Sequence, residues 1–130
     1  MKDIQSILRI SAKDFKKNTK KEKENMSGSV IIYDSKNSPD SPNLRAFKVK
    51  FENGAYTKWH RHCGVQILIG EEGLGFVEQS DKVPQAIMCG DQIYIPAGVW
   101  HRHGAKEGQT MMHLAITIGE TKWDENDLCK

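Results

Sequence analysis

Five residues of this chain have side chains that both ligate metals and move protons near neutral pH: His60, His62, His101, His103 and His113. They are its only histidines, and none occurs before position 60. Imidazole is the commonest protein ligand for divalent transition metals and the usual acid–base group of enzymes. The spacing is informative, because His60 and His62 stand two apart, as do His101 and His103. On a β-strand such pairs project from one face. Gln66 opens the next apolar run and falls near enough to share the space of the first pair. A lone histidine is most often a satisfied core or surface residue. On spacing alone, structural histidines and a metal site both remain open, and a metal site requires a sheet that folds the late pair back onto the early one.

The elements available for that task are short and β-like. From Ser29 onward the runs SVIIY, RAFKVKF, AYTKWHRH, VQILI, LGFVEQ, QAIM, QIYIP, WHRH and MMHLAITI follow one another, bounded by Gly, Pro, Asp or Asn. In RAFKVKF the apolar Phe47, Val49 and Phe51 alternate with Lys48 and Lys50, the period of a strand with one buried face. Asn53–Gly54 reads as the turn that closes this strand, and GEEGLG as a hairpin turn. Eight or nine strands without βαβ alternation predict a sandwich or barrel. Trp59 and Trp100 each precede a histidine, and alternation turns them away from it toward packing or a subunit contact.

The chain has 130 residues, 38% hydrophobic and 28% charged, the composition of one soluble globular domain. No apolar run approaches the roughly 20 residues that cross a bilayer. The amino terminus lacks the apolar stretch of a secretory leader, so a cytoplasmic location is expected. Cys63, Cys89 and Cys129 are an odd, sparse set, which predicts free thiols, with Cys63 a spectator beside the site. Residues 1–25 carry eight Lys or Arg against four acids and read as a basic arm or short helix, with Ile4, Ile7, Leu8 and Ile10 at helical spacing; residues 26–130 form the domain proper. No recognition motif or interleaved aromatic accompanies the lysines, so nucleic acid is not an expected partner.

Two segments resemble the paired motifs of the cupin family. GAYTKWHRHCGVQILIGEEG (54–73) matches the first through Gly54, His60, His62, Gln66 and Gly73, and GDQIYIPAGVWH (90–101) matches the second through Gly90, Pro96, Gly98 and His101. The resemblance covers about residues 29–118 and implies an all-β jelly-roll barrel with one divalent metal held by His60, His62, Gln66 and His101. Manganese or iron is favoured over nickel or zinc. Two positions depart from the common pattern: Gln66 stands where glutamate is usual, and Ala105 where asparagine often ends the second motif. A neutral amide leaves the ion its full charge, making a stronger Lewis acid in a weaker trap.

The His-x-His with a following glutamine, the WHRHGA segment and the MMHLAI strand are similar to a subgroup of small cupins that includes the bacterial cupin-type hydroxynitrile lyases. By that resemblance His113 is a pocket acid–base group and His103 a pocket-edge histidine. The expected activity is metal-dependent lyase or isomerase chemistry on a small polar molecule. An iron-dependent dioxygenase and a non-catalytic ligand-binding module are the alternatives, and pairing into a homodimer is expected.

Overall fold

The computed structural model describes residues 7–20, 22–35 and 43–129. Among them the chain is nearly all strand: β1 (Lys16–Asn18), β2 (Met26–Asp34), β3 (Leu44–Thr57), β4 (Arg61–His62), β5 (Gln66–Glu72), β6 (Gly75–Gln79), β7 (Gln85–Ile87), β8 (Gln92–Ile95), β9 (His101–Ala105), β10 (Met111–Ile118) and β11 (Thr121–Lys122), with single 3-10 turns at Ala12–Asp14 and Lys23–Asn25. One antiparallel sheet runs β7-β6-β9-β3-β10-β5-β8, with β2 also pairing β3 and β1 pairing β2. It curls into the nearly closed jelly-roll barrel that the resemblance implies, where the strand pattern alone left a sandwich open.

β3 is the spine of this barrel. Its first half pairs Leu44 to Phe51 with Ile118 to Met111 of β10, and its last turn of pleat pairs Tyr56 with Gly104 of β9. The strand therefore does not end at Asn53–Gly54 as the turn residues predict. Both adopt positive φ, 50° and 80°, and bend the chain, yet the Gly54 N–H donates to the Gln109 carbonyl (2.8 Å) and pairing resumes beyond the bend. The GEEGLG segment also departs from its expected role. β5 pairs with β10 and β8, whereas β6 pairs with β9 and β7, so the turn carries the chain across the barrel and closes no hairpin. Gly73 is required there by φ of 71° and by close approach, since a Cβ would collide with the Thr110 carbonyl oxygen.

Alternation sorts side chains as the sequence predicts. Val49 and Phe51 of β3, Leu68 of β5, Ile87 of β7 and Met111 and Ala115 of β10 pack inside the barrel, each at most 3% exposed. The same interior also holds the polar residues His60, His62, Gln66, His101, His103, His113 and Thr117, all buried.

Two further expectations meet a different outcome. Three residues of the basic segment form an edge strand: Lys16, Lys17 and Asn18 pair with Asp34, Tyr33 and Ile32, and Lys48 lies 5.0 Å above the Phe15 ring. Backbone pairing with an open sheet edge outweighs the local charge density. Of the apolar positions read as one helix face, Ile4 lies outside the described residues, while Ile7 and Leu8 are exposed and outside any helix. Cys63 and Cys129 are not free thiols but a disulfide, with Cα atoms 5.5 Å apart, inside the range a bridge spans. Only the folded chain brings these distant positions together. Cys89 alone is a free, exposed thiol. No helix among the described residues is long and apolar enough to cross a membrane.

Candidate metal centre

The site begins with a backbone exchange between two chain segments remote in sequence. His60 N–H donates to the His101 carbonyl and His101 N–H to the His60 carbonyl, both at 2.8 Å. This isolated antiparallel bridge sets the two rings 4.3 Å apart, centroid to centroid. Each ring is oriented the same way: His60 Nδ1–H donates to the Lys58 carbonyl (2.8 Å) and His101 Nδ1–H to the Val99 carbonyl (2.8 Å). A carbonyl only accepts, so the proton sits on Nδ1 and the Nε2 lone pair of each ring is free for another partner.

The other members arrive by strand alternation. His62, on β4, has Nδ1 2.9 Å from the Thr121 hydroxyl of β11, and its ring centroid lies 5.1 Å from that of His60 and 5.2 Å from that of His101. Gln66, the first residue of β5, donates Nε2–H to the Thr117 hydroxyl at 2.7 Å, which assigns Oε1 to the opposite side. Three buried atoms of this group, His62 Nε2, His101 Nε2 and Gln66 Oε1, have no hydrogen-bond partner among the described residues. Leaving such atoms desolvated and unpaired costs about 1–3 kcal/mol each. Lone pairs on three buried atoms in one cluster are the chemistry of a cation site.

His60, His101 and His103 each present a ligand atom within 4.8 Å of the others, so these three histidines could hold a metal ion. The triad shares His60 and His101 with the sequence-derived set and adds His103, whose ring centroid lies 5.3 and 5.7 Å from theirs; the His62 ring, at 5.1 and 5.2 Å, is as near. Two successive inward positions of β9 bring His101 and His103 to the same space.

His113 stands one layer further back. It is fully buried on β10, its ring centroid 5.4 Å from that of Phe51, and its Nε2 lies 3.0 Å from His103 Nδ1. It therefore meets the site through His103. The cavity itself measures about 60 Å³; Met26, Ile32, Phe47 and Val49 give it apolar walls, His60, His62, Gln66 and His103 stand on the polar side, and Glu22, Arg45 and Trp123 are among the remaining lining. The Trp123 ring packs at 4.5 Å and 36° against His60.

Trp123 and Arg45 were not singled out in the sequence. Arg45 had a signal, since it is in phase with Phe47, Val49 and Phe51 on the inner face of β3. Trp123 had none, because the chain beyond Ile118 shows no periodicity. Trp59 and Trp100 are half-buried outside the cavity lining, and Trp59 lies under the Arg102 guanidinium at 4.9 Å, a packing contact as expected.

Burial sets the protonation of the site. It holds His60 and His103 well below the usual imidazole value, with the neighbouring rings adding to the effect, and His101 below it. His62 falls to about 3 through burial first, then His101 and Arg45, and burial takes His113 to about 4. All five are neutral at pH 7, the form that binds metals. In the metal-free protein these histidines protonate near 6.5 when unfolded and lower when folded, so the unfolded state binds more protons in acid. Stability is complete above about pH 6.5 and is lost as pH falls toward 4 and below. At about 1.4 kcal/mol per pKa unit, the loss amounts to several kcal/mol. Circular dichroism of metal-free protein should show the melting temperature falling steeply between pH 6.5 and 4; a flat profile would mean that the rings are hydrated.

Comparison with known proteins agrees with this fold. The profile of the family described as Cupin domain matches residues 47–118. An (R)-mandelonitrile lyase from Granulicella tundricola is 36% identical over 90 residues, 69% of each chain. The crystal structure of a cupin-like protein from Thermotoga maritima superposes with a TM-score of 0.77 at 31% identity, covering 85% of this chain and 86% of that one. A polyketide cyclase from Streptomyces resistomycificus shares the fold at 19% identity, with a TM-score of 0.72 over 89% of this chain and 82% of its own.

Proposed function

This chain is a member of the cupin domain family, and on that premise we propose that it is a metal-dependent enzyme of lyase or isomerase type. Its substrate is a small polar molecule, and one divalent ion, manganese or iron, is held by His60, His62, Gln66 and His101. One observation carries the reading: His62 Nε2, His101 Nε2 and Gln66 Oε1 are buried without partners while the opposite edges of the same side chains are committed to Thr121, Val99 and Thr117. His60, fixed through Lys58, supplies the fourth ligand. A bound divalent ion would polarise a substrate hydroxyl or carbonyl oxygen and stabilise negative charge developing there.

The chain's own residues supply the rest. His103 lines the cavity and its Nδ1 is hydrogen-bonded to His113 Nε2. With the shared proton on His103 Nδ1, its Nε2 accepts the proton of a substrate hydroxyl, the pair then carries one positive charge spread through that hydrogen bond, and His103 Nε2 returns the same proton to the product. His113 thus positions and buffers His103 without touching substrate. The apolar walls exclude water from this exchange. Similarity to an (R)-mandelonitrile lyase makes cyanohydrin cleavage the first activity to assay. The test is elemental analysis of purified protein, then release of benzaldehyde from mandelonitrile with manganese restored. Stoichiometric metal with turnover supports the reading. Absence of any bound divalent ion would end it, and iron-dependent oxygen consumption would favour the dioxygenase alternative.

Gln66 offers a separate check. In Gln66→Glu the Thr117 hydroxyl can reverse and donate to the carboxylate, so the new charge keeps a partner. The charge attracts an ion but is costly when buried alone. The variant is expected to retain more metal after dialysis against a chelator, and its metal-free form to melt roughly 5–10 °C lower. A lower melting temperature without better retention would show that Gln66 is not a ligand.

A further inference from the structure

The cavity of about 60 Å³ is well short of the 300 Å³ or more of usual small-molecule sites, and one wall belongs to the carboxyl-terminal segment. That segment reaches the site at two points: Thr121 bonds the His62 ring and Trp123 covers His60. Its other attachments to the barrel are polar, among them a hydrogen bond from Arg45 of β3 to the Thr121 hydroxyl at 3.2 Å. Thr121 and Lys122 pair with His62 and Arg61, Arg61 donates to the carbonyls of Glu125 and Asp127, and Lys122 makes ion pairs with Glu120 and Asp127. No residue from 121 to 129 is fully buried, and those from 124 onward are exposed. Exposed ion pairs contribute little, and a segment with so little apolar burial opens locally at low cost. What ties its far end to the barrel is covalent: Cys129 is bonded to Cys63, the residue next to His62.

We propose that residues 121–129 are a strap over the metal site, latched by the Cys63–Cys129 disulfide, and that reduction of this bond releases Trp123 and opens the cavity to larger ligands. The inference rests on the metal-site reading for its consequence but not for the motion. A dithiol reductant supplies two electrons and two protons, the S–S bond breaks to two thiols, and the reductant closes to its own disulfide. In a thiol-reducing compartment the open form prevails, and oxidation shuts the site.

The experiment compares the full chain in three forms: oxidised, reduced with dithiothreitol that is then removed without air, and Cys63→Ser/Cys129→Ser. Hydrogen exchange is followed by mass spectrometry. Amides of residues 121–129 and that of Cys63, whose N–H donates to the Glu120 carbonyl, are expected to exchange at least 10-fold faster in the reduced and double-serine forms. β3, β5 and β10 should stay unchanged. Manganese-loaded protein should lose its ion to a chelator at least 10-fold faster in the same two forms. Equal exchange in all three forms overturns the strap, as does acceleration spread over the whole sheet, which would mark a general staple. If no form takes up manganese, the metal-site reading fails while the exchange data still decide the strap. Trp123→Ala in the oxidised protein should release manganese at the reduced form's rate; unchanged slow release would show that Trp123 is not the cover.

Discussion

Exchange of His101 for alanine is expected to strip the protein of its metal. His101 belongs both to the set His60, His62, Gln66 and His101 and to the triad His60, His101 and His103 that lies within 4.8 Å, so either arrangement loses a ligand. Its Nε2 is one of the buried atoms without a partner among the described residues. Loss of even an outer-shell partner typically weakens metal binding 10–100-fold, so removal of a ligand should exceed that range. Metal content after dialysis against a chelator is the measurement, with circular dichroism to establish that the barrel persists. The variant also strands the Val99 carbonyl that the ring satisfied, so a lower melting temperature is expected as well. A folded His101→Ala protein with full metal content would move the ion elsewhere.

The second large effect separates the roles of His62 and His103. If His103 is the acid–base group, His103→Ala keeps its metal while turnover falls by about 10²–10⁴-fold, and His62→Ala loses the metal. If His103 is the ligand, the two results exchange places. His113→Phe tests the pair from behind. It fills the space against Phe51 but removes the partner of His103 Nδ1, so turnover should drop by roughly 10–100-fold and the pH profile should shift, with metal content unchanged. A purely structural His113 would alter stability and leave that profile in place.

The comparison of sequence with structure turns on what kind of interaction places each residue. Inner-face positions such as Phe47, Val49 and Phe51, or His113, Ala115 and Thr117, are legible because a strand's two-residue period is a local property of the backbone. The bend at Asn53–Gly54 and the crossing at GEEGLG were not, because the same turn residues serve a hairpin, a bend or a corner, and pairing partners choose among them. Trp123 and the disulfide were invisible for a stronger reason: β11 has two residues, too few for any period.

The sequence by itself therefore determined the all-β class, the two His-x-His pairs on inner faces and the neutral Gln66 beside them, since periodicity and residue chemistry act over a few positions; the barrel followed from the motif resemblance. Only the tertiary structure decided that His103 joins His60 and His101 with ligand atoms within 4.8 Å, that His113 stands behind His103, and that a tail bonded to Cys63 reaches the site. Those outcomes depend on how strands distant in the chain curl and register against one another, where shifts of an ångström choose which ring faces which lone pair.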